Sequence, residues 1–267
     1  MRLQRIALFT YLKLVLVLAG SVLALRCGGA KPPEKPAPAA ADAAKPVEYF
    51  HVDPATAGSL RGRIVFRGAR PARTAISMES EAACEQAHAG HAVYDESVLV
   101  GKDGGLANAF VYIQSGLEGK NFEPVQEAVA LDQHGCMFVP RVIGIRAGQM
   151  LDVKNSDAVS HNIHPMPKEN RDWNQQQSPQ SPDLQHRFPR PEIMIPVKCN
   201  VHSWMHAYIG VVAHPYFAVT GPDGSFEWTN VPPGDYTIGV WHEKLGDQAK
   251  PVHVAASAGA AVDFTYR

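Results

Sequence analysis

Within Cys199-Asn200-Val201-His202-Ser203-Trp204-Met205, a thiolate, an imidazole and a thioether lie in seven residues. Strand-like runs at residues 193–198 and 208–212 bracket the stretch, so all three side chains project from one short loop. Soft sulfur donors favour copper, and two histidines, one cysteine and a weak axial methionine make an electron-transfer site. The loop is one histidine short. Upstream, Asn155-Ser156-Asp157-Ala158-Val159-Ser160-His161-Asn162-Ile163 offers it. The expected ligand set for one copper ion is therefore His161, Cys199, His202 and Met205. Taken singly, each of these residues reads as core, because buried Cys, His and Met are common near strand ends. Only their joint pattern points to a metal.

A site of this kind needs a rigid scaffold. At 267 residues the chain has room for about two domains, and 45% hydrophobic with 19% charged residues is an ordinary globular balance. A formal net charge of −1 without a long basic run argues against nucleic acid as a partner. Twenty-two glycines and 21 prolines suit a turn-rich all-β chain better than a helical one. Leu60, Gly62, Ile64 and Phe66 alternate with more polar neighbours, which predicts a half-buried strand, and another is predicted over residues 106–113. Near the C-terminus, strands are expected at residues 216–220, 225–230, 235–242 and 252–255, with Val262, Phe264 and Tyr266 alternating in a last one. Between these two groups, residues 128–131, 139–145, 150–153, 193–198 and 208–212 also suit strands. Residues 165–191, rich in Pro, Gln, Asn and Ser, read as a long surface loop with at most a short helical turn.

The chain begins with an export-like segment. Arg2 and Arg5 precede an apolar run at residues 14–25, of signal-peptide length and too short to span a bilayer alone. Counted from Ile6 the run is long enough, but Lys13 then falls inside it, and an uncleaved anchor stays open. Cys27 with Gly28-Gly29 and the Pro/Ala/Lys tract that follows resembles a bacterial lipoprotein signal, although Arg26 stands where that pattern has a small residue. This implies an exported, periplasmic or cell-envelope protein, tethered to a membrane through its N-terminus and a flexible linker.

Two further resemblances carry the fold. Asp223-Gly224-Ser225-Phe226, Val231-Pro232-Pro233-Gly234-Asp235-Tyr236, the opening Gly62–Phe66 stretch and residues 106–113 resemble a carboxypeptidase regulatory-like (prealbumin-like) β-sandwich. Its opening and closing pieces lie about a hundred residues apart, which implies one sandwich split by an insertion. Asn155-Ser156-Asp157, His161-Asn162-Ile163 and Cys199-x2-His202-x2-Met205 resemble a type 1 blue copper cupredoxin, with the ligand spacing of amicyanin. That resemblance implies the four ligands above and makes Asn162 the residue that ties the two ligand loops together. It also favours His161 over His164, because residues three apart in a strand face opposite ways. His206 and His214 are expected at the surface or facing a partner. The expected organisation is a signal or anchor over residues 1–27, a linker over 28–56, a split sandwich over 57–125 and 214–267, and a cupredoxin Greek-key sandwich over 126–213.

The remaining cysteines are Cys84 and Cys136. With Cys27 lipidated and Cys199 on copper, they are left over in an oxidising compartment, and a disulfide between them is the simplest expectation. Free buried thiols, or a second metal site of Cys84, His88 and His91, are the alternatives. Functionally, the sequence predicts one-electron transfer, with a redox partner docking on an exposed edge of His202 beside Trp204 and Pro165. A copper-carrying or sensing module is the rival. No enzymatic activity is expected, since Lys198 and Asn200 flank Cys199 where copper enzymes usually carry a relay histidine.

Overall fold

A computed structural model describes residues 47–267. The export segment and Cys27 expected in residues 1–27, and the linker as far as residue 46, lie outside the described residues. Alternation sets the first strand, β1 (Gly58–Phe66), which buries Leu60, Ile64 and Phe66 and turns Arg61 outward. Next come α1 (Ala82–Ala87), the one helix among the described residues, and β2 (Phe110–Ser115). The middle of the chain supplies β3 (Val129–His134), β4 (Met137–Val139), β5 (Val142–Arg146), β6 (Met150–Asn155) and β7 (His161–Pro165). It continues with β8 (Gln175–Gln177), β9 (Leu184–Arg187), β10 (Glu192–Lys198) and β11 (His206–Val212). The last part holds β12 (Phe217–Val219), β13 (Ser225–Val231), β14 (Gly234–His242), β15 (Gly246–Val254), β16 (Gly259–Ala261) and β17 (Phe264–Tyr266).

These strands form four sheets that sort by chain region, and the molecule is all-β. One sheet runs β13-β1-β16, with β17 also on β1, and a second runs β12-β2-β14-β15, so early strands pair with late ones. The other two, β5-β11-β10-β7-β8 and β4-β3-β6-β9, use middle strands alone. Each pair of sheets closes on its own apolar core. Leu60, Ile64, Val111, Ile238 and Phe264 fill one, and Leu131, Ile145, Val153, Ile163 and Ile209 fill the other.

A third, smaller cluster of Phe110, Val142, Met194 and Val212 joins them. There the middle strands approach so closely that two glycines are required. A Cβ on Gly210 would lie 2.5 Å from Phe110 Cζ, and one on Gly144 would lie 2.5 Å from Phe217 Cδ2. The Arg141 guanidinium also donates to both carboxylate oxygens of Glu243, at 2.6 and 3.0 Å, both side chains being buried. Breaking such a pair from one side strands a buried charge.

Some element boundaries depart from the sequence expectation for identifiable reasons. The strand predicted from residue 106 begins at Phe110, because Asn108 takes a left-handed backbone (φ 59°) that interrupts the extended run. The stretch 165–191 contains β8 and β9 where a loop with a helical turn was expected. Its Gln-rich sequence lacks an apolar alternation. Pairing with β7 and the buried Gln177 amide, which donates to Val153 and Pro182 carbonyls, hold it in place.

Candidate metal centre

Strand β7 opens with His161, and β10 ends one residue before Cys199. The two are antiparallel neighbours, with Lys198 opposite His164, so the 199–205 loop emerges beside the start of β7. The loop is wound tightly on itself. Cys199 N–H donates to the Met205 carbonyl at 3.2 Å, and Met205 N–H donates to the His202 carbonyl at 3.1 Å. The His202 N–H points at Cys199 Sγ, 3.4 Å away. As a result, ligand atoms of His161, Cys199 and His202 all fall within 4.8 Å of one another, with all three residues buried. The two Nδ1 atoms face each other at 2.9 Å, and Cys199 Sγ lies 3.9 Å from His202 Nδ1. Met205 is fully buried in the same core cluster. A thiolate and two imidazole nitrogens converging in an apolar shell, with a thioether in the same loop, is a donor set that fits copper.

Neighbouring groups fix these donors. Asn162 N–H donates to Cys199 Sγ at 3.5 Å, and its side-chain carbonyl accepts from Asn200 N–H, so Asn162 ties the two ligand-bearing segments together. Its amide also reaches Asn174 Oδ1 at 2.5 Å. Asp157 Oδ2 sits 2.8 Å from His161 Nε2. That carboxylate is itself pinned by the N–H groups of Gly135 and Cys136, each at 2.7 Å. Orientation of a ligand imidazole through its far nitrogen is the usual way a protein sets the tautomer that binds metal.

The protonation equilibria follow from this arrangement. Burial by itself lowers the His161 pKa, but the Asp157 carboxylate and the Cys199 sulfur outweigh it and hold it up to about 9. His202, buried and facing that charged ring, is pushed below its ordinary value. Burial raises the Cys199 thiol, while hydrogen bonds from His161 and from the Asn162, His202 and Val201 N–H groups bring it below the ordinary range. The pocket is thus built to carry a thiolate, the form that binds metal.

Several sequence expectations meet the structure here. Cys84 and Cys136 are joined as a disulfide, which removes the alternative site of Cys84, His88 and His91. His88 instead donates from Nε2 to the Gly135 carbonyl at 2.7 Å. His164 turns away from the pocket, toward Asn200 Oδ1 at 3.4 Å and Asp172 at 3.3 Å. His206 is exposed, but His214 is not a surface-facing residue. Its Nε2 donates to the Ile113 carbonyl and its Nδ1 accepts from Tyr216 N–H, because it closes the turn between β11 and β12.

The expected exposed edge of His202 is corrected most clearly. That residue is only 3% exposed. The segment carrying α1 folds over it, bringing Cys84 Sγ to 4.0 Å and Glu81 Oε2 to 3.9 Å from Nε2. Trp204 packs 5.1 Å from the His202 ring and donates from Nε1 to the Cys136 carbonyl at 3.0 Å. Asp157, Glu81 and Asn174 were not singled out from sequence. Only Asp157 left a signal, as the acid four residues before the first histidine.

No family model matches the chain, and no curated protein matches it. Solved structures match part of it. A copper-containing nitrite reductase (NirK) from Thermus scotoductus SA-01 aligns over 38% of this chain at 19% identity, with a TM-score of 0.30. The match spans 25% of that reductase's own chain. A purple cupredoxin from Nitrosopumilus maritimus aligns over 28% of this chain and 81% of its own, at 20% identity and TM-score 0.25. A Cu(I) form of an amicyanin variant aligns over 38% and 97%, at 17% identity and TM-score 0.27. Against the expectation of no enzymatic activity, an enzyme stands among these matches. Missing a histidine beside Cys199 removes one electron route; it does not bear on catalysis as such. The structural neighbours of this chain are cupredoxins and a copper reductase, each matched over part of its length.

Proposed function

We propose that this chain is an exported one-electron transfer protein whose mononuclear type 1 copper site is held by His161, Cys199, His202 and Met205. One observation carries the proposal. Three donors of the right softness, from two separate segments, converge within 4.8 Å in a buried pocket. Copper, when bound, would supply a one-electron couple. The chain's own residues do the rest. Asn162 locks the two ligand segments together, so that the donor positions are set by the fold and not by the metal. Asp157 holds the His161 ring with Nδ1 facing Cys199 and His202. Cys199, 3% exposed in the same apolar cluster as Ile163, Val197 and Ala207, has its sulfur kept from water. We place this centre in a cupredoxin-like sandwich inserted into a prealbumin-like one, tethered at the cell envelope by the N-terminal segment.

A copper-carrying module is the second reading. It draws on the cover over His202, which lies across the edge where a redox partner would otherwise dock. An optical and EPR spectrum of the full chain with one equivalent of Cu(II) separates the two. Electron transfer requires an intense thiolate-to-copper band and a small copper hyperfine splitting. A pale spectrum with wide splitting would sink that reading and leave the carrier.

A further inference from the structure

We propose that Cys84 and Cys136, once reduced, form a separate Cu(I)-binding site directly behind the two histidines. The site goes beyond the electron-transfer reading and does not depend on it. A disulfide that only staples two segments needs no metal-binding neighbours, yet this one is ringed by them. Cys136 Sγ lies within 4.8 Å of ligand atoms of both Asp157 and His161. Cys84 Sγ lies 4.0 Å from His202 Nε2, the nitrogen turned away from Cys199. The Cα atoms of the two cysteines are 5.6 Å apart, a gap across which two thiolates can grip one Cu(I) ion with sulfur rotation alone. Thiolates select Cu(I) over the harder divalent ions.

Access is also present. A cleft of about 250 Å³ opens on Cys136 and Asp157, walled by Ala83 and Gln86 of α1 and by Val159. Nδ1 of His202 is turned to the first pocket and its Nε2 faces the Cys84 sulfur, so the same ring borders both sites. The chemistry balances with an external reductant. A trialkylphosphine and water reduce the disulfide to two thiols and leave the phosphine oxide. Cu(I) then displaces two protons and binds both sulfurs, giving a complex of net charge −1.

The test uses the full-length chain carrying Cys199→Ser, so that no thiolate from the first pocket contributes. Cu(I) is titrated against a chromophoric chelator before and after phosphine treatment, with near-UV circular dichroism recorded at each stage. The reduced chain should take up one equivalent more than the oxidised chain, with two sulfur neighbours by X-ray absorption. The same titration on a chain that adds Cys84→Ser and Cys136→Ser should lose that equivalent, with any contribution from Cys27 cancelling between the two. Equal uptake before and after reduction would overturn the proposal, as would an extra equivalent that survives in the serine variant. Loss of the near-UV signal on reduction, before copper is added, would also overturn it, since the fold would then not build the site. A wild-type chain that shows no type 1 spectrum but keeps the extra equivalent would refute the electron-transfer reading alone.

Discussion

The two pairs of sheets are built to one plan and differ in what their loops turn inward. Where early and late strands pair, the sandwich ends close on aromatic packing, with Trp228, Phe226, Tyr236 and Tyr266 buried. One histidine, His242, is buried there, its ring tilted at 46° to the Tyr266 ring 6.1 Å away and bonded at Nδ1 by Lys244 N–H. In the middle pair, one end turns His161, Cys199, His202 and Met205 into the core instead. Every group among the described residues that could hold a metal lies in this second pair. A β-sandwich is thus a neutral holder. Chemistry arises where two loops at one end present convergent donors and where a third segment covers them.

Removing the convergence should have the largest effect. Cys199→Ser deletes the one thiolate in the pocket and should abolish the intense visible band of the Cu(II)-loaded chain, while Ile238→Val in the other core leaves it unchanged. A full-strength band in the serine variant would mean that the two sandwiches do not differ in the way described.

The join between them comes next. Phe110 is fully buried against Gly144, Gly210 and the Phe217 ring, so it belongs to both halves. Phe110→Ala should cost about 3–5 kcal/mol in chemical denaturation, from lost burial and the cavity left behind. The copper spectrum of the folded variant should stay as in the wild type. A cost under about 1 kcal/mol would show that the halves stand without each other.

His242 gives the comparison a pH axis. Burial, with the nearby Arg141 charge, pushes its pKa down to about 4 from the ordinary 6.5. The unfolded chain therefore takes up the proton first. Stability is intact above pH 6.5 and declines as pH falls toward 4. At about 1.4 kcal/mol per pH unit the loss from this residue reaches roughly 3 kcal/mol. His242→Phe should remove that part of the decline, measured as the difference between wild-type and variant unfolding free energies at pH 7 and pH 4. A difference that does not change with pH would mean the ring takes up its proton in the fold at the same pH as in the unfolded chain.

Legibility in the sequence follows the same division. The ligand loop is readable because its chemistry is local, with Cys199, His202 and Met205 in one turn of chain. Alternating strands such as β1 and β14 are readable because one face is buried. The cover on His202 is not readable. It depends on α1 reaching a loop more than a hundred positions away through the Cys84–Cys136 bond, and on a lone bridge between Ala75 and Tyr94 that closes the excursion. Nothing in the composition of residues 75–94 announces this. Strand β8 is hidden for another reason: its three glutamines carry no apolar pattern, and its position is set by backbone pairing to β7.

The smallest expected effect is the sharpest check on how the pocket end was assigned. His161 and His164 lie on one strand, three residues apart, and either could have supplied the upstream imidazole. In the fold His161 is fully buried with Nδ1 on His202, while His164 lies on the other face with its side chain 20% exposed, beside an exposed Asp172. An exposed pair of that kind contributes little. His164→Ala should therefore change unfolding free energy by no more than about 0.5 kcal/mol and leave the copper band in place. His161→Ala should remove the type 1 spectrum. If the ranking came out reversed, β7 would have to enter the pocket in a register shifted by three residues. Asn162 could then no longer reach both Cys199 and Asn200, and the tie between the two ligand segments would fail along with the ligand assignment.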